Sequence, residues 1–367
     1  MLIYILTILI LFVFTFIDEN NKVTQRSGHW MQWVSFLLLV LQVGLRWETG
    51  TDWDPYLNHF ENTTDLTSIY LSEFEFGYSL FVWLVNFITH DYSIFLLVHA
   101  VIYYFLIFKS FKSYSPYFYM TLILYYTLSM GMMGSNRQLI ALAICIYSLR
   151  FVIEKKTILF LLFVFIASFF HTTAFLFVVF CFLNKEIKPI ILFIILGCTL
   201  IIGKTQLPVI IFSLFGEFLG GNFVDKSIHY TGDTKDFLDA QLSIIGLIKR
   251  LTFFCFFYYN RKFLAEKLAY YTVMLNGYMI GIAFYFLFAD SLLVMVSRGS
   301  LYFNMMEPLL ISSQLCLIKG KENKIFVSII LLLFSIIFLY QSIAAYPELF
   351  DPYKGLFINS DFQRIMY

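Results

Sequence analysis

An all-α, polytopic integral membrane protein is the fold class that this sequence predicts, and three observations predict it. The 367-residue chain is 60% hydrophobic and only 13% charged, with a mean hydropathy of +0.79, whereas a soluble domain carries roughly a quarter charged residues. The apolar residues fall into repeated runs, most of them near the ~20 residues that a spanning helix needs. Lys and Arg gather in the short intervals between those runs, the charge pattern that orients membrane helices. About 10–12 membrane helices are expected, short re-entrant or interfacial ones included, in one transmembrane domain over residues 1–367.

Residues 2–17 and 30–45 form the first two spans, joined by a loop carrying Lys22 and Arg26. Phe16-Ile-Asp-Glu-Asn20 is no small-residue cleavage site, so the first helix is expected to stay as an anchor. A polar interval, 46–75, precedes Gly77–Thr89, an apolar run of about 13 residues. Further runs lie at 92–108, 116–133, 138–153, 157–183, 190–203, 241–259, 268–289, 301–318 and 325–342. Residues 205–221 have an amphipathic pattern, 222–240 are polar, and 343–367 form a polar tail.

The basic loops at Lys109/Lys112, 150–156, 185–188, 261–267 and 319–324 belong in the cytoplasm. That leaves 46–75, 134–137, 222–240, 290–300 and 343–367 outside. Both flanks of Gly77–Thr89 then come out external, so this short helix is expected to dip into the membrane or lie in its outer interface, as protein-covered helices at membrane depth do. The run 157–183 has two basic flanks and exceeds one span. It is either a hairpin broken near Phe170-His171-Thr-Thr173 or one long tilted helix.

Composition excludes several function classes. A net charge of +1 gives no electrostatic footprint for nucleic acid. The five cysteines all lie inside apolar runs without a Cys-x-x-Cys, and the six histidines make no His-x-x-x-His pair, so neither a disulfide frame nor a metal centre is indicated. Absence of a repeat of 20–50 residues argues against transporter folds built from inverted repeats.

Chemistry concentrates around Arg46-Trp-Glu-Thr-Gly-Thr-Asp-Trp-Asp-Pro-Tyr56. Trp47 and Trp53 suit the membrane–water boundary, while Gly50 and Pro55 turn the chain out of the bilayer. Arg46, Arg137 and Arg298 all fall at or near outer helix ends. An arginine drawn to the bilayer centre costs about 2.5–3.5 kcal/mol, and its planar fork suits a diphosphate; a single one is equally well an interfacial anchor. Lys249-Arg250 interrupts the middle of 241–259, so either that helix begins deeper or the pair lines a polar cavity. Asp52, Asp54 and Glu75 are the acidic candidates. A carboxylate can take the acceptor proton in inverting glycosyl transfer. Asp52-Trp-Asp54 has the spacing of a cation chelate, a minority reading, and Glu75 can equally be a helix cap. His171 is a core histidine or the tip of the hairpin, and Tyr56, Tyr78 and Tyr353 offer rings to sugars.

These residues resemble a known family. Arg46 with Gly50-Thr-Asp52 and Tyr56, Glu75-Phe-Gly77, Asn136-Arg-Gln138 followed by Ala141, Ala167 with Phe170-His171, Ser297-Arg298 and Asp351-Pro-Tyr353 are similar, in this order, to the EpsG/Wzy-like polysaccharide polymerases. The resemblance implies a metal-independent membrane glycosyltransferase with the C-type fold. It also implies polymerisation of undecaprenyl-diphosphate-linked oligosaccharide repeat units into O-antigen, capsular or exopolysaccharide, with the site facing outward from the bacterial inner membrane. Lipid-linked oligosaccharide would be both donor and acceptor, membrane lipid a partner, and a chain-length regulator protein a candidate partner; no cofactor or metal is expected. Asp52 or Glu75 would be the base, Asp52 preferred, and Arg46, Arg137, Arg298, His171, Lys249, Arg250, Tyr56, Gln138 and Tyr353 would hold the diphosphate or the sugars. The rival expectations are a polysaccharide ligase or another polyprenyl-phosphate-sugar glycosyltransferase, and a flippase. A flippase would want polar groups through the whole membrane depth.

Overall fold

Pro308 shows how local chemistry sets the helix boundaries. The apolar run 301–318 reads as one helix, but a proline ring clashes with the carbonyl four residues back and removes a ladder donor. In the computed structural model this run is accordingly split into Leu301–Asn304, Glu307–Ser313 and a 3₁₀ turn, Gln314–Leu317. The structure describes residues 1–20, 25–219, 244–292 and 295–361. The expected outer loop 222–240 lies outside the described residues, as does the end of the tail.

All regular structure among the described residues is helical, apart from two isolated backbone bridges. The chain is an all-helical, polytopic membrane protein. Tyr92–Tyr114 (α6), Asn136–Ile153 (α8), Tyr271–Phe288 (α14) and Lys321–Ile343 (α17) are each long and apolar enough to cross a bilayer. Pro189–Gly203 (α10) and the start of Leu207–Leu219 (α11) are together apolar enough to cross but bent by 86° at the break between them, the geometry of a broken span or a re-entrant loop. Shorter apolar helices accompany them: Leu2–Asn20 (α1), Gln25–Gly44 (α2), Phe76–Ile88 (α5), Thr157–Ser168 (α9) and the 3₁₀ helix Thr172–Phe182.

Two of the expected irregularities are present. Helix α5 has 13 residues, a rise of about 20 Å against a hydrocarbon core of about 30 Å. The run 157–183 is interrupted: α9 ends at Ser168, Phe169 and Phe170 turn, and helix resumes at Thr172, leaving His171 outside both.

The chain divides into two compact units. The first contains Met1–Ser148, Leu162–Thr172 and Ile311–Tyr367. In it α2 lies along α6, and Phe118–Ser129 (α7) packs against both α1 and α17. The polar interval 46–75 folds here into two short helices, Trp53–Asn62 (α3) and Leu66–Leu71 (α4). Trp53, Tyr56 and Phe60 on one face of α3 are buried with Tyr78, Val82, Tyr92 and Phe95. The second unit contains Leu149–Leu161 and Thr173–Leu310. There α14 is the central helix, touched by α10, by Ile244–Tyr259 (α12), by Arg261–Lys267 (α13) and by Leu301–Asn304 (α15). Glu307–Ser313 (α16) follows α15 and runs from the second unit into the first.

Candidate active site

The candidate site in the first unit is built on two glycines pressed against each other's loops. Gly50 has φ +97° and Gly134 φ +113°, in the region that side chains disfavour. A Cβ on Gly50 would lie 2.2 Å from the Met133 carbonyl oxygen, and one on Gly134 would lie 2.0 Å from that of Thr51. Only bare backbones approach this closely, and the Thr51 amide donates to Met133 O at 2.9 Å. The next residue, Asp52, is also left-handed at φ +53°, a conformation that aspartate tolerates better than most side chains. It begins α3 with an exposed carboxylate, which among the described residues accepts from the Ser135 hydroxyl at 3.5 Å.

A strap from the C-terminal segment fixes the other side of the loop. The Trp47 amide donates to Lys354 O and the Leu356 amide to Leu45 O, both at 3.0 Å. Thr49 Oγ1 accepts from the Lys354 amide at 2.8 Å, and Lys354 Nζ pairs with Glu48 at 2.6 Å. Tyr353 is buried with its hydroxyl donating to Gln42 O at 2.6 Å and its ring edge-on to Tyr4, so the strap holds it as an internal tie.

Beneath the strap Arg46 is enclosed, only 1% exposed. Its guanidinium donates to Val43 O and to Asn136 Oδ1, each at 2.8 Å. Among the described residues no carboxylate pairs with it, and its Nε and Asn136 Nδ2 are buried without hydrogen bonds. His99 Nε2 lies 2.8 Å from Asn136 O. Arg46 therefore supports the residue just before Arg137 from behind.

Arg137, on the first turn of α8, faces the other way. Its Nη1 donates to Glu75 Oε2 at 2.6 Å and its Nε to the Tyr56 hydroxyl at 3.2 Å. The guanidinium also lies 4.2 Å from the Phe74 ring centroid, within range of a cation–π attraction. Glu75 occupies the N-cap position of α5 but caps nothing with its side chain. Its second oxygen accepts from the Thr172 amide at 3.3 Å. The end of α9 completes the knot, since Phe169 O accepts from the amides of Gly77 and Tyr78, at 2.9 and 3.3 Å. Thus the break in 157–183 and the start of the short helix α5 meet at one carboxylate, with buried His171 close enough to act on its charge.

Electrostatics separates the two acids. Burial pushes the Glu75 carboxyl up, but the Arg137 guanidinium, with a smaller contribution from His171, brings it below its ordinary value. Glu75 is thus a committed anion and a poor proton acceptor. Asp52 has no cation bound to it among the described residues and is open to solvent. Burial raises the Tyr56 phenol, so it stays protonated while it accepts from Arg137.

The sequence pointed to Asp52, Tyr56, Glu75, Arg137 and His171, and the structure gathers them in one unit. Gln138 is buried one position along α8. Asp54 is exposed on the first turn of α3, and among the described residues no three His, Cys, Asp or Glu groups cluster as metal ligands. The remaining cations lie in the second unit. Arg298 is exposed in a π-helical turn, Met295–Gly299. Lys249 and Arg250 lie on α12, half-buried, where Lys249 pairs with Glu307 at 3.3 Å.

Sequence reasoning passed over His59 and Phe74. His59 Nε2 lies 3.3 Å from Ser79 Oγ, which in turn donates to Ser72 Oγ at 3.1 Å, linking α3 to α5 and to the loop that carries Glu75. Burial, reinforced by Arg137, pulls its imidazole down to about 4, so it is neutral at physiological pH. The signal available was helical spacing, since His59 follows Tyr56 by three positions on α3 and shares its side of that helix.

Compared with known proteins, residues 29–354 match the model of the EpsG family. No curated protein and no solved structure matches the chain.

Proposed function

The chain belongs to the EpsG family, a Wzy-like, glycosyltransferase-like polysaccharide polymerase family, and from this premise we propose that it joins undecaprenyl-diphosphate-linked oligosaccharide repeat units on the outer face of the inner membrane. The reading is carried by one observation: an exposed Asp52 lies beside Ser135 and within charge range of Tyr56, the phenol to which Arg137 of the Arg137–Glu75–Thr172 knot also donates.

In this reaction a terminal hydroxyl of the incoming unit attacks the anomeric carbon of the growing chain. The new C–O bond forms as the bond from that carbon to the phosphate oxygen breaks, and the electron pair leaves with the lipid diphosphate. Asp52 takes the hydroxyl proton as general base. Arg137 spends one donor on Tyr56 and one on Glu75, which leaves the rest of its fork for the departing diphosphate. Glu75 fixes the direction of that fork, so little reorganisation is needed as charge develops on the leaving group. Arg46 acts one step back, by holding Asn136.

The test is a deletion strain complemented with Arg137→Gln. The variant protein should reach the membrane in normal amount while the surface glycan collapses to single repeat units. Long chains at wild-type level would remove the diphosphate role from Arg137.

A further inference from the structure

Within the polar interval 46–75, helix α4 carries an apolar side that the protein does not cover. A capping box sets this helix: the Asp65 carboxylate accepts from the Ser68 amide, and Ser68 Oγ accepts from the Asp65 amide. Ile69 turns inward and is buried. The other large apolar side chains point away, with Leu66 55% exposed, Tyr70 77% and Leu71 84%.

That surface continues beyond α4. The Tyr70 ring centroid lies 6.0 Å from that of Phe76, at the start of α5. Phe76 lies 6.3 Å from Phe169, which lies 4.7 Å from Phe165 at the end of α9. All four rings are exposed and belong to the first unit. At about 3.6 residues per turn, Phe76, Leu80, Trp83, Leu84 and Phe87 share one side of α5, and Phe87 at its far end is 78% exposed. Exposed apolar surface that runs on in this way marks a contact.

We infer that α4 is an interfacial membrane helix, and that the partner of its Leu66–Tyr70–Leu71 side is the lipid at the headgroup boundary. The argument is one of continuity. Helices α5 and α9 are apolar elements of a membrane protein, so their exposed side chains meet hydrocarbon, and the aromatic ladder carries that surface ring by ring onto α4. Tyr70 has an apolar ring with a hydroxyl at its tip, the form that collects where membrane meets water. Asp65 and Glu73 flank the helix as exposed charges, which resist transfer into the hydrocarbon core and so limit its depth. The loop into α5 alternates to match: Phe74 covers the Arg137 guanidinium, Glu75 pairs with it, and Phe76 joins the exposed ladder. The carboxylate–arginine knot thus stands at the lipid surface, one side chain away from the bilayer.

The depth of a single added tryptophan tests this, in the full chain reconstituted into phosphatidylcholine nanodiscs with the wild-type emission subtracted. Tyr70→Trp and Leu71→Trp replace exposed side chains, so neither burdens the core. Their added emission should be blue-shifted, quenched most by phosphatidylcholine brominated near the headgroup end of its chains, and shielded from acrylamide in the water. Glu61→Trp, at an exposed position on α3, controls for an indole seeking the interface by itself; it should be reached by acrylamide and ignore the bromine. Acrylamide quenching of Tyr70→Trp and Leu71→Trp equal to that of Glu61→Trp would overturn the lipid contact and leave this surface to a sugar or a protein. Strongest quenching by bromine at the chain ends would overturn it as well, because α4 would then lie inside the hydrocarbon core. Both readouts are independent of catalysis, so the polymerase reading stands or falls separately.

Discussion

Two carboxylates in the first unit show how neighbouring loops divide one chemistry. Glu75 lies where a short helix begins and a broken helix ends, and three elements hold it: Arg137, the Thr172 amide and, through charge, His171. Asp52 lies on a loop equally rigid in its backbone, but that rigidity comes from glycine contacts and the C-terminal strap, which leave its side chain in the open. Both positions are fixed, yet only one carboxylate is free to accept a proton. A base must be positioned by its backbone and left alone at its oxygens; an orienting anion must be engaged at both.

Asp52→Asn puts the greatest strain on this contrast. Loss of a general base lowers turnover by about 10²–10⁴-fold, and the expected result is undetectable polymer from protein that still binds farnesyl diphosphate. If Glu75→Gln proves the more damaging of the two in the same glycan assay, the roles are exchanged. Glu75→Gln itself should give a smaller loss, about tenfold, because the amide keeps a hydrogen bond to Arg137 but gives up the charge-assisted part.

Gly134→Ala acts on the backbone alone. With φ at +113° and a carbonyl oxygen 2.0 Å from the new Cβ, it should cost about 1–3 kcal/mol in strain and lower the thermal midpoint. Asp52 would be displaced with it, so activity should fall further than the change in folded fraction explains. The smallest effect concerns pH. His59 has its imidazole lowered to about 4 from an ordinary value of 6.5. Between those values the unfolded chain binds a proton that the folded chain refuses, so stability declines as pH falls through that interval. His59→Gln should flatten that part of the melting profile. Glu75 has the carboxylate sign: its contribution is present above the ordinary carboxylate value and is lost only as pH falls through a lower folded value. It should therefore leave the part of this window above 4.5 untouched.

Much of this was legible in the sequence where composition or a charge rule acts locally. The charge parity around Gly77–Thr89 pointed to a helix that dips into the membrane or lies in its interface, and the basic flanks of 157–183 to a hairpin or one long tilted helix; the first is a helix of 13 residues and the second is interrupted at 169–171. What parity could not supply is that the two meet, with Phe169 O accepting from Gly77 N. Pairings between segments about ninety residues apart leave no periodic trace in either. Arg46 illustrates a different limit. A guanidinium at a helix end reads as substrate-facing or as snorkelling, and nothing local reveals that Asn136 draws it inward. For Lys249-Arg250, mid-run placement signalled a polar environment, while the identity of Glu307 and Asn304 as partners needed the fold. The break before Glu307 was readable from Pro308, whose ring forbids the helix that hydropathy alone would draw.

The C-terminal strap also imposes an order in time. Thr49 and Lys354 are bonded across 305 positions, so the loop that presents Asp52 lacks these bonds, and Trp47 its amide acceptor, until residue 354 has been translated after α17. A nascent chain stalled before residue 354 has every residue of the carboxylate–arginine knot and still lacks the clasp on the Asp52 loop. On the function proposed above, the Asp52 loop is therefore set only after all residues of the carboxylate–arginine knot are in place.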